Sequence, residues 1–195
     1  MAMNVVFLQG SPRRGGNTET LCARMAEAMR SKGAAVEMLR LADMNIGGCT
    51  ECFACQKVAD APGCPIEDDM HVVYDGVLAA DAVVLATPVF CWCMTAQLRA
   101  ALDRFYAFCK FGEGAAGKFI KCLIDGKRFA LVVTAGGGPY DGAEICVASY
   151  RAMAEFLRLE DRGEFVAAPV GDPQSVAADR ALLERAAAFA LRVLE

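Results

Sequence analysis

Residues 4–29, "NVVFLQGSPRRGGNTETLCARMAEAM", join a short apolar run to an amphipathic segment through a loop of small polar residues. Val5–Gln9 suits a buried strand, and Thr18–Lys32 predicts a helix because apolar side chains recur there at helical spacing. A strand that turns directly into a helix begins a β–α unit, so this stretch sets the architecture of the chain.

The same alternation continues to the end of the sequence. Further strands are predicted at 35–41, 82–86, 129–134 and 164–170, and further helices at 69–80, 95–109, 143–159 and 173–194. Repeated β–α units predict a parallel sheet covered by helices on both faces. We therefore expect one α/β domain over 1–195, a doubly wound five-stranded sheet in the flavodoxin-like order 2-1-3-4-5. Its irregular part is a cysteine-rich loop at 47–66.

The composition limits the functions that are open to this chain. Its 195 residues are 55% hydrophobic, with a mean hydropathy of +0.31, and so supply a large core. The net charge of -4 gives no basic field for nucleic acid. No apolar run reaches the ~20 residues of a membrane-spanning helix. We expect a cytoplasmic protein that binds neither nucleic acid nor membrane, with its cysteines as reduced thiols or metal ligands.

In doubly wound sheets, ligands bind beyond the carboxyl ends of the strands. The first loop there, Gly10–Thr18, matches neither a Walker A loop nor a dinucleotide fingerprint, because its glycines have the wrong spacing and no Gly-Lys-Ser/Thr follows. It offers hydroxyls at Ser11 and Thr18 and an amide at Asn17, at the start of a helix where free N–H groups favour a phosphate. The alternative is an ordinary turn in which Asn17 or Thr18 caps the helix.

Two more loops follow strands at the same edge. Thr87–Thr95, "TPVFCWCMT", groups Pro88, Phe90 and Trp92. Exposed aromatic side chains are costly unless they cover an apolar surface. Three interpretations follow for that surface: a ligand, a neighbouring helix or a second subunit. Ala135–Gly142, "AGGGPYDG", has consecutive glycines that let the backbone lie against a planar ligand. The alternative for this loop is a flexible linker.

Three motifs carry a family resemblance when they are taken together. They are "GSPRRGGNT" at 10–18, "TPVF" at 87–90 with "LRAALDR" at 98–104, and "GKRFALVVTAGGGP" at 126–139. This combination resembles the NADPH-dependent FMN reductase family of flavodoxin-like flavoproteins, from residue 4 to about 170. The resemblance implies a non-covalently bound FMN and NAD(P)H as co-substrate. Because the flavin carries the chemistry, we expect no catalytic side chain.

The resemblance also implies which residues contact FMN. Those expected at the phosphate are Ser11, Arg13, Asn17 and Thr18. Those expected at the isoalloxazine are Pro88, Val89, Phe90 and Trp92 from one loop, and Ala135, Gly136, Gly137 and Gly138 from the other.

Residues 47–70, "GGCTECFACQKVADAPGCPIEDDM", raise a separate question. Cys49, Cys52 and Cys55 have the C-x2-C-x2-C spacing that is typical of iron–sulfur ligation, and Cys64 follows nine residues later. The spacing also resembles the compact cysteine motif of iron–sulfur flavoproteins, which implies a [4Fe-4S] cluster. Zinc would suit the same four thiolates, and thiols that bind no metal are the third alternative.

Two classes of function follow. The first is an FMN-dependent NAD(P)H oxidoreductase that passes electrons to a small acceptor, namely a quinone, a free flavin, an azo or nitro compound, or a metal. The alternative is an iron–sulfur flavoprotein that carries electrons for ferredoxin-like partners. We favour the enzyme because Asp141 is the one acidic residue in the three loops, whereas a carrier needs acidic residues for docking. The aromatic residues of the second loop and the positive mean hydropathy also predict a homodimer or homotetramer.

Overall fold

The computed structural model describes residues 2–114 and 117–195. Its strands are β1 (Asn4–Gln9), β2 (Ala35–Arg40), β3 (Ala82–Pro88), β4 (Cys109–Gly114), β5 (Gly117–Cys122), β6 (Arg128–Thr134) and β7 (Glu160–Ala167). Five of them form a parallel sheet in the order β2-β1-β3-β6-β7, and β4 and β5 form a separate antiparallel hairpin. Without the hairpin this is the order 2-1-3-4-5, so the predicted flavodoxin-like sheet is confirmed.

Helices cover both faces of the sheet. They are α1 (Asn17–Ser31), α2 (Met70–Ala79), α3 (Ala96–Asp103), α4 (Ala143–Phe156), α5 (Ser175–Ala178) and α6 (Arg180–Leu194), with short 3-10 turns at Leu41–Asp43, Ala54–Lys57 and Arg104–Phe108.

The core has two halves, one on each side of the sheet, because side chains alternate along every strand. In β1, Val5 and Phe7 pack with α1 and α6, whereas Val6 and Leu8 pack with α2, α3 and α4. The central strand β3 is buried from Ala82 to Thr87, which explains why its sequence is apolar without alternation. The chain crosses from β2 over β1 to β3, so the strand order reverses between β1 and β3.

Several predicted boundaries were wrong. The predicted helix 95–109 ends at Asp103, and a 3-10 turn leads from there into β4. The predicted helix 173–194 is divided, because Asp179 ends α5 and its carboxylate accepts from Leu182 N to cap α6. The predicted strand 164–170 starts earlier and ends at Ala167. The first half of β7, "EDRG", is polar because the strand lies at the edge of the sheet, so the apolar pattern did not predict it.

The β4–β5 hairpin was not predicted, and it packs beside the cysteine loop. Lys110 Nζ donates to Cys55 O at 2.9 Å and to Pro62 O at 3.2 Å. Gln56 Nε2 donates to Cys109 O at 2.9 Å, and its Oε1 accepts from Phe111 N.

Within residues 2–114 and 117–195, no helix combines the length and the apolar character needed to cross a membrane.

Candidate functional site

The loops that follow β1, β3 and β6 meet at the carboxyl edge of the sheet, around a cavity of about 200 Å³. The predicted contact residues that line it are Ser11, Arg13, Asn17, Thr18, Pro88, Val89, Phe90, Ala135 and Gly136. Sequence reasoning missed five others, namely Pro12, Gly16, Thr134, Val170 and Gly171. Val170 and Gly171 follow β7 at the same edge, and that position was the signal that could have identified them.

The first loop is held against the second by Gly10 and Thr95. Thr95 Oγ1 donates to Gly10 O at 2.9 Å, and Thr95 N donates to Thr87 Oγ1 at 3.1 Å. A Cβ on residue 10 would lie 2.6 Å from Thr95 Oγ1 and 2.8 Å from Leu98 Cβ, so only glycine allows this approach. Thr95 also caps α3 by accepting from Leu98 N, which fixes the start of that helix below the cavity.

Helix α1 begins at the cavity without a side-chain cap. Its N-cap residue is Gly16, so neither Asn17 nor Thr18 has the capping role that the alternative interpretation gave it. The first hydrogen bond within the helix is from Thr20 N to Gly16 O, which leaves the amides before residue 20 without helical acceptors. A helix end of this kind presents N–H groups and positive potential to an anion.

The amide of Asn17 is already used by the protein. Its Nδ2 donates to Val170 O at 3.0 Å and to Asp172 O at 2.6 Å, and its Oδ1 accepts from Val176 N at 3.1 Å. Asn17 therefore fastens the loop after β7 to the start of α1. Thr18 is buried and shares a 2.8 Å hydrogen bond with the hydroxyl of Thr134, so it links α1 to β6.

The second loop contains a tight turn whose two central residues have left-handed backbone. Phe90 and Cys93 exchange two backbone hydrogen bonds of 2.9 Å and 3.0 Å, and φ is 46° at Cys91 and 61° at Trp92. Two central residues with positive φ define a type I′ turn, which favours Asn and Gly rather than Cys and Trp. Such strain persists only where the surroundings impose it, and it is often found at functional sites.

Three predicted contact residues, Trp92, Gly137 and Gly138, do not line the cavity. Trp92 is 60% exposed, and its Nε1 donates to Asp141 Oδ1 at 2.9 Å, which joins the second loop to the third. The carboxylate of Asp141 also occupies the space where a side chain on Gly137 would lie. These residues shape the loops beside the cavity.

The cysteine loop encloses a second cavity of about 360 Å³, and Cys49, Cys52, Cys55 and Cys64 all line it. Cys49 and Cys52 are exposed, whereas Cys55 and Cys64 are partly buried. Hydrogen bonds from the backbone N–H of Ala54 and from Thr50 lower the pKa of Cys52. Over residues 2–114 and 117–195, no three His, Cys, Asp or Glu side chains lie close enough together to hold a single metal ion.

The chain matches the model of the NADPH-dependent FMN reductase family over residues 3–171. It is 32% identical over 102 residues to an iron–sulfur flavoprotein of Methanosarcina thermophila, and this match covers 52% of each chain. A second match, at 30% identity over 159 residues, is to an iron–sulfur flavoprotein of Methanocaldococcus jannaschii and covers 82% of this chain and 73% of that protein. The chain thus spans only about half of the first relative.

Among solved structures, an NAD(P)H:quinone oxidoreductase from Methanothermobacter marburgensis is similar in fold. The TM-score is 0.75 with 100% of this chain and 98% of that chain covered, at 17% sequence identity. At this identity the similarity concerns the fold alone.

Proposed function

Because this chain belongs to the NADPH-dependent FMN reductase family, we propose that it is an oxidoreductase that binds FMN at the carboxyl edge of its sheet. NAD(P)H is the proposed electron donor, and a small molecule such as a quinone, a flavin or an azo or nitro compound is the proposed acceptor. The observation that carries this proposal is the cavity beside the uncapped start of α1, where the loops after β1, β3 and β6 meet.

The phosphate end of the proposed site is the Gly10–Thr18 loop. The free amides at the start of α1 are suited to phosphate oxygens, and Ser11, which is 4% exposed, adds a hydroxyl at the same wall. Arg13 lines the cavity, and its aliphatic stem lies against Gly16, so it supplies a cation beside the helix start. Asn17 contributes by fastening the loop at 170–176, since its amide is fully used there.

The ring end of the proposed site lies between Pro88–Phe90 and Ala135–Gly136. When bound, FMN supplies the hydride and electron transfer chemistry. The protein positions the flavin, covers one side of it and leaves the other open to a flat nicotinamide. Ala135 and Gly136 suit this role because small residues approach a ring without filling the space above it, and Phe90, which is 50% exposed, also lines the cavity.

The phosphate assignment is tested with two neighbouring arginines. Arg13 lines the cavity, whereas Arg14 forms a 2.8 Å ion pair with Asp43 and does not line it. We expect Arg13→Gln to weaken FMN binding about tenfold or more while riboflavin binding changes little, since a charge-assisted hydrogen bond contributes ~1.5–3 kcal/mol. Arg14→Gln is the matched control and should leave both ligands unchanged. Equal weakening of FMN and riboflavin in Arg13→Gln would contradict the assignment.

A second function, electron transfer through an iron–sulfur cluster, is favoured by the cysteine loop. Four thiolates on one zinc ion would lie about 3.8 Å apart, given tetrahedral Zn–S bonds of ~2.3 Å. In a [4Fe-4S] cluster each thiolate binds a separate iron, which needs wider spacing and room between the sulfurs. The 360 Å³ cavity lined by Cys49, Cys52, Cys55 and Cys64 fits that donor set.

Anaerobic reconstitution with iron and sulfide tests the cluster directly. We expect about four iron atoms per chain and retained flavin, as Cys₄ ligation of [4Fe-4S] requires. Protein that is prepared without oxygen and binds flavin but no iron would remove the carrier function and leave the reductase function intact.

A further inference from the structure

Arg104 is among the most buried side chains of the described protein, although it carries a charge. It is 2% exposed, and its Nη1 lies 2.5 Å from Oδ2 of Asp68, whose side chain is 5% exposed. A buried cation of this kind is costly unless its donors are used. The sequence motif "LDR" contains Arg104, but the proposed FMN site does not use it.

The contacts of Arg104 join both ends of the cysteine loop. Nη1 also donates to Gly47 O at 3.3 Å, before the first cysteine, and Nη2 donates to Ile66 O at 3.4 Å, after the last. Asp68 completes this arrangement because it accepts from Gly47 N at 2.8 Å and from Met70 N at 3.1 Å. The guanidinium therefore holds together the two ends of the loop that contains the four cysteines.

Arg104 also reaches a cysteine. Its Nη2 donates to Cys64 Sγ at 3.3 Å, and both residues line the 360 Å³ cavity. The hydroxyl of Tyr74, which donates to Arg104 O at 3.1 Å, lies beside the same sulfur. Cys64 is separated from Cys55 by a longer interval than the other cysteines have, so it depends most on an anchor outside the loop.

We propose that Arg104 is a positioning residue that holds Cys64 as the fourth ligand of the cluster and raises the reduction potential of that cluster. This inference rests on the proposed cluster. A hydrogen bond to a ligand sulfur stabilises the negative charge that arrives on reduction, so a donor at Cys64 favours the reduced cluster. The fork of the guanidinium is essential here, because one nitrogen serves Asp68 and the other serves Cys64.

The test is Arg104→Lys in reconstituted protein, with the reduction potential of the cluster measured by an anaerobic redox titration that is followed by electron paramagnetic resonance. Lysine keeps the charge for Asp68, but its compact ammonium does not reproduce the planar fork that directs Nη1 at Asp68 and Nη2 at Cys64. We expect the ratio of reduced to oxidised cluster at a fixed potential to fall about tenfold, which is ~59 mV for one electron. Arg99→Lys is the matched control on the preceding helix α3, because Arg99 is exposed and pairs with Asp103.

Asp68→Asn separates this role from a merely structural one. It loosens the same ion pair but leaves Arg104 beside Cys64 and removes a negative charge, so we expect the potential to rise. An unchanged potential in Arg104→Lys, or a fall of the same size in both variants, would overturn the proposal. If Arg104→Lys retains too little iron to titrate, the sign of the shift in Asp68→Asn decides. Wild-type protein that binds no iron would instead overturn the proposed cluster itself.

Discussion

Gln9 shows how a single residue can depart from the pattern of its strand. It ends β1 with no exposed surface, and neither Oε1 nor Nε2 of its amide has a hydrogen-bond partner among the described residues. Replacing a buried, unpaired amide by an apolar group of similar shape removes a desolvation cost of ~1–3 kcal/mol. We therefore expect Gln9→Met to raise the free energy of unfolding by ~1 kcal/mol or more in urea denaturation.

The matched control for this substitution is Gln56→Met. The amide of Gln56 donates to Cys109 O and accepts from Phe111 N, so its loss should lower stability. A clear loss of stability in Gln9→Met would show that the folded protein does satisfy the amide of Gln9.

At the residue scale, the sequence predicted which side chains lie at the cavity better than it predicted the contacts that each side chain makes. Ser11, Arg13 and Phe90 lie at the cavity because each is within a few residues of a strand end, and parallel strands end at one edge. The use of Asn17 depends on a partner more than 150 positions later in the chain, which no local pattern contains. The sequence also did not predict the left-handed backbone conformation of Cys91 and Trp92, because neither residue type favours that conformation.

At the scale of elements, the Asp68–Arg104 pair joins the cysteine loop to the helical segment after α3. Burial opposes the charge of Asp68, but hydrogen bonds from Gly47 N and Arg104 outweigh it and lower its pKa. Because the folded pKa lies below the unfolded value of ~3.9, this carboxylate contributes stability that is complete above that pH. The contribution is lost as the pH falls through the folded pKa.

Asp68→Asn should therefore reduce the acid dependence of stability as well as stability itself. Breaking a buried pair by removing one partner costs ~3–5 kcal/mol at neutral pH, and the difference from wild type should shrink below pH ~4. Urea unfolding at a series of pH values measures both effects. Asp103→Asn, which affects an exposed pair with Arg99, should cost less than ~1 kcal/mol. A constant difference at every pH would contradict the assignment.

The β4–β5 hairpin could not be predicted for a physical reason. Its sequence, "CKFGEG" followed after two residues by "GKFIKC", contains glycines that weaken strand propensity. Tertiary contacts stabilise the hairpin instead: Lys110 of the hairpin donates to Cys55 O in the cysteine loop, and Gln56 of that loop donates to Cys109 O in the hairpin. The inner strands β1, β3 and β6 were predictable because helices cover both faces of the sheet and bury their apolar runs.

At the scale of the whole molecule, the alternation of strands and helices was enough to predict the sheet order, whereas the assembly remains a prediction. Trp92 and Tyr140 are 60% and 87% exposed, and both belong to the loops at the carboxyl edge. Large exposed aromatics near a site are favoured when a partner subunit covers them. We expect a homodimer or homotetramer at micromolar concentration by multi-angle light scattering. The mass of one chain would contradict this expectation.

Anaerobic rapid mixing tests directly whether a nicotinamide reduces the proposed flavin. Protein loaded with FMN is mixed with NADH or NADPH, and the visible absorption of the flavin is followed. We expect the absorption to be lost within seconds, at a rate that saturates with nucleotide, because Phe90 at the edge of the cavity is half exposed and accessible to a nicotinamide ring. If neither nucleotide reduces the flavin within minutes while reduced ferredoxin does so readily, the protein is an electron carrier and not a reductase.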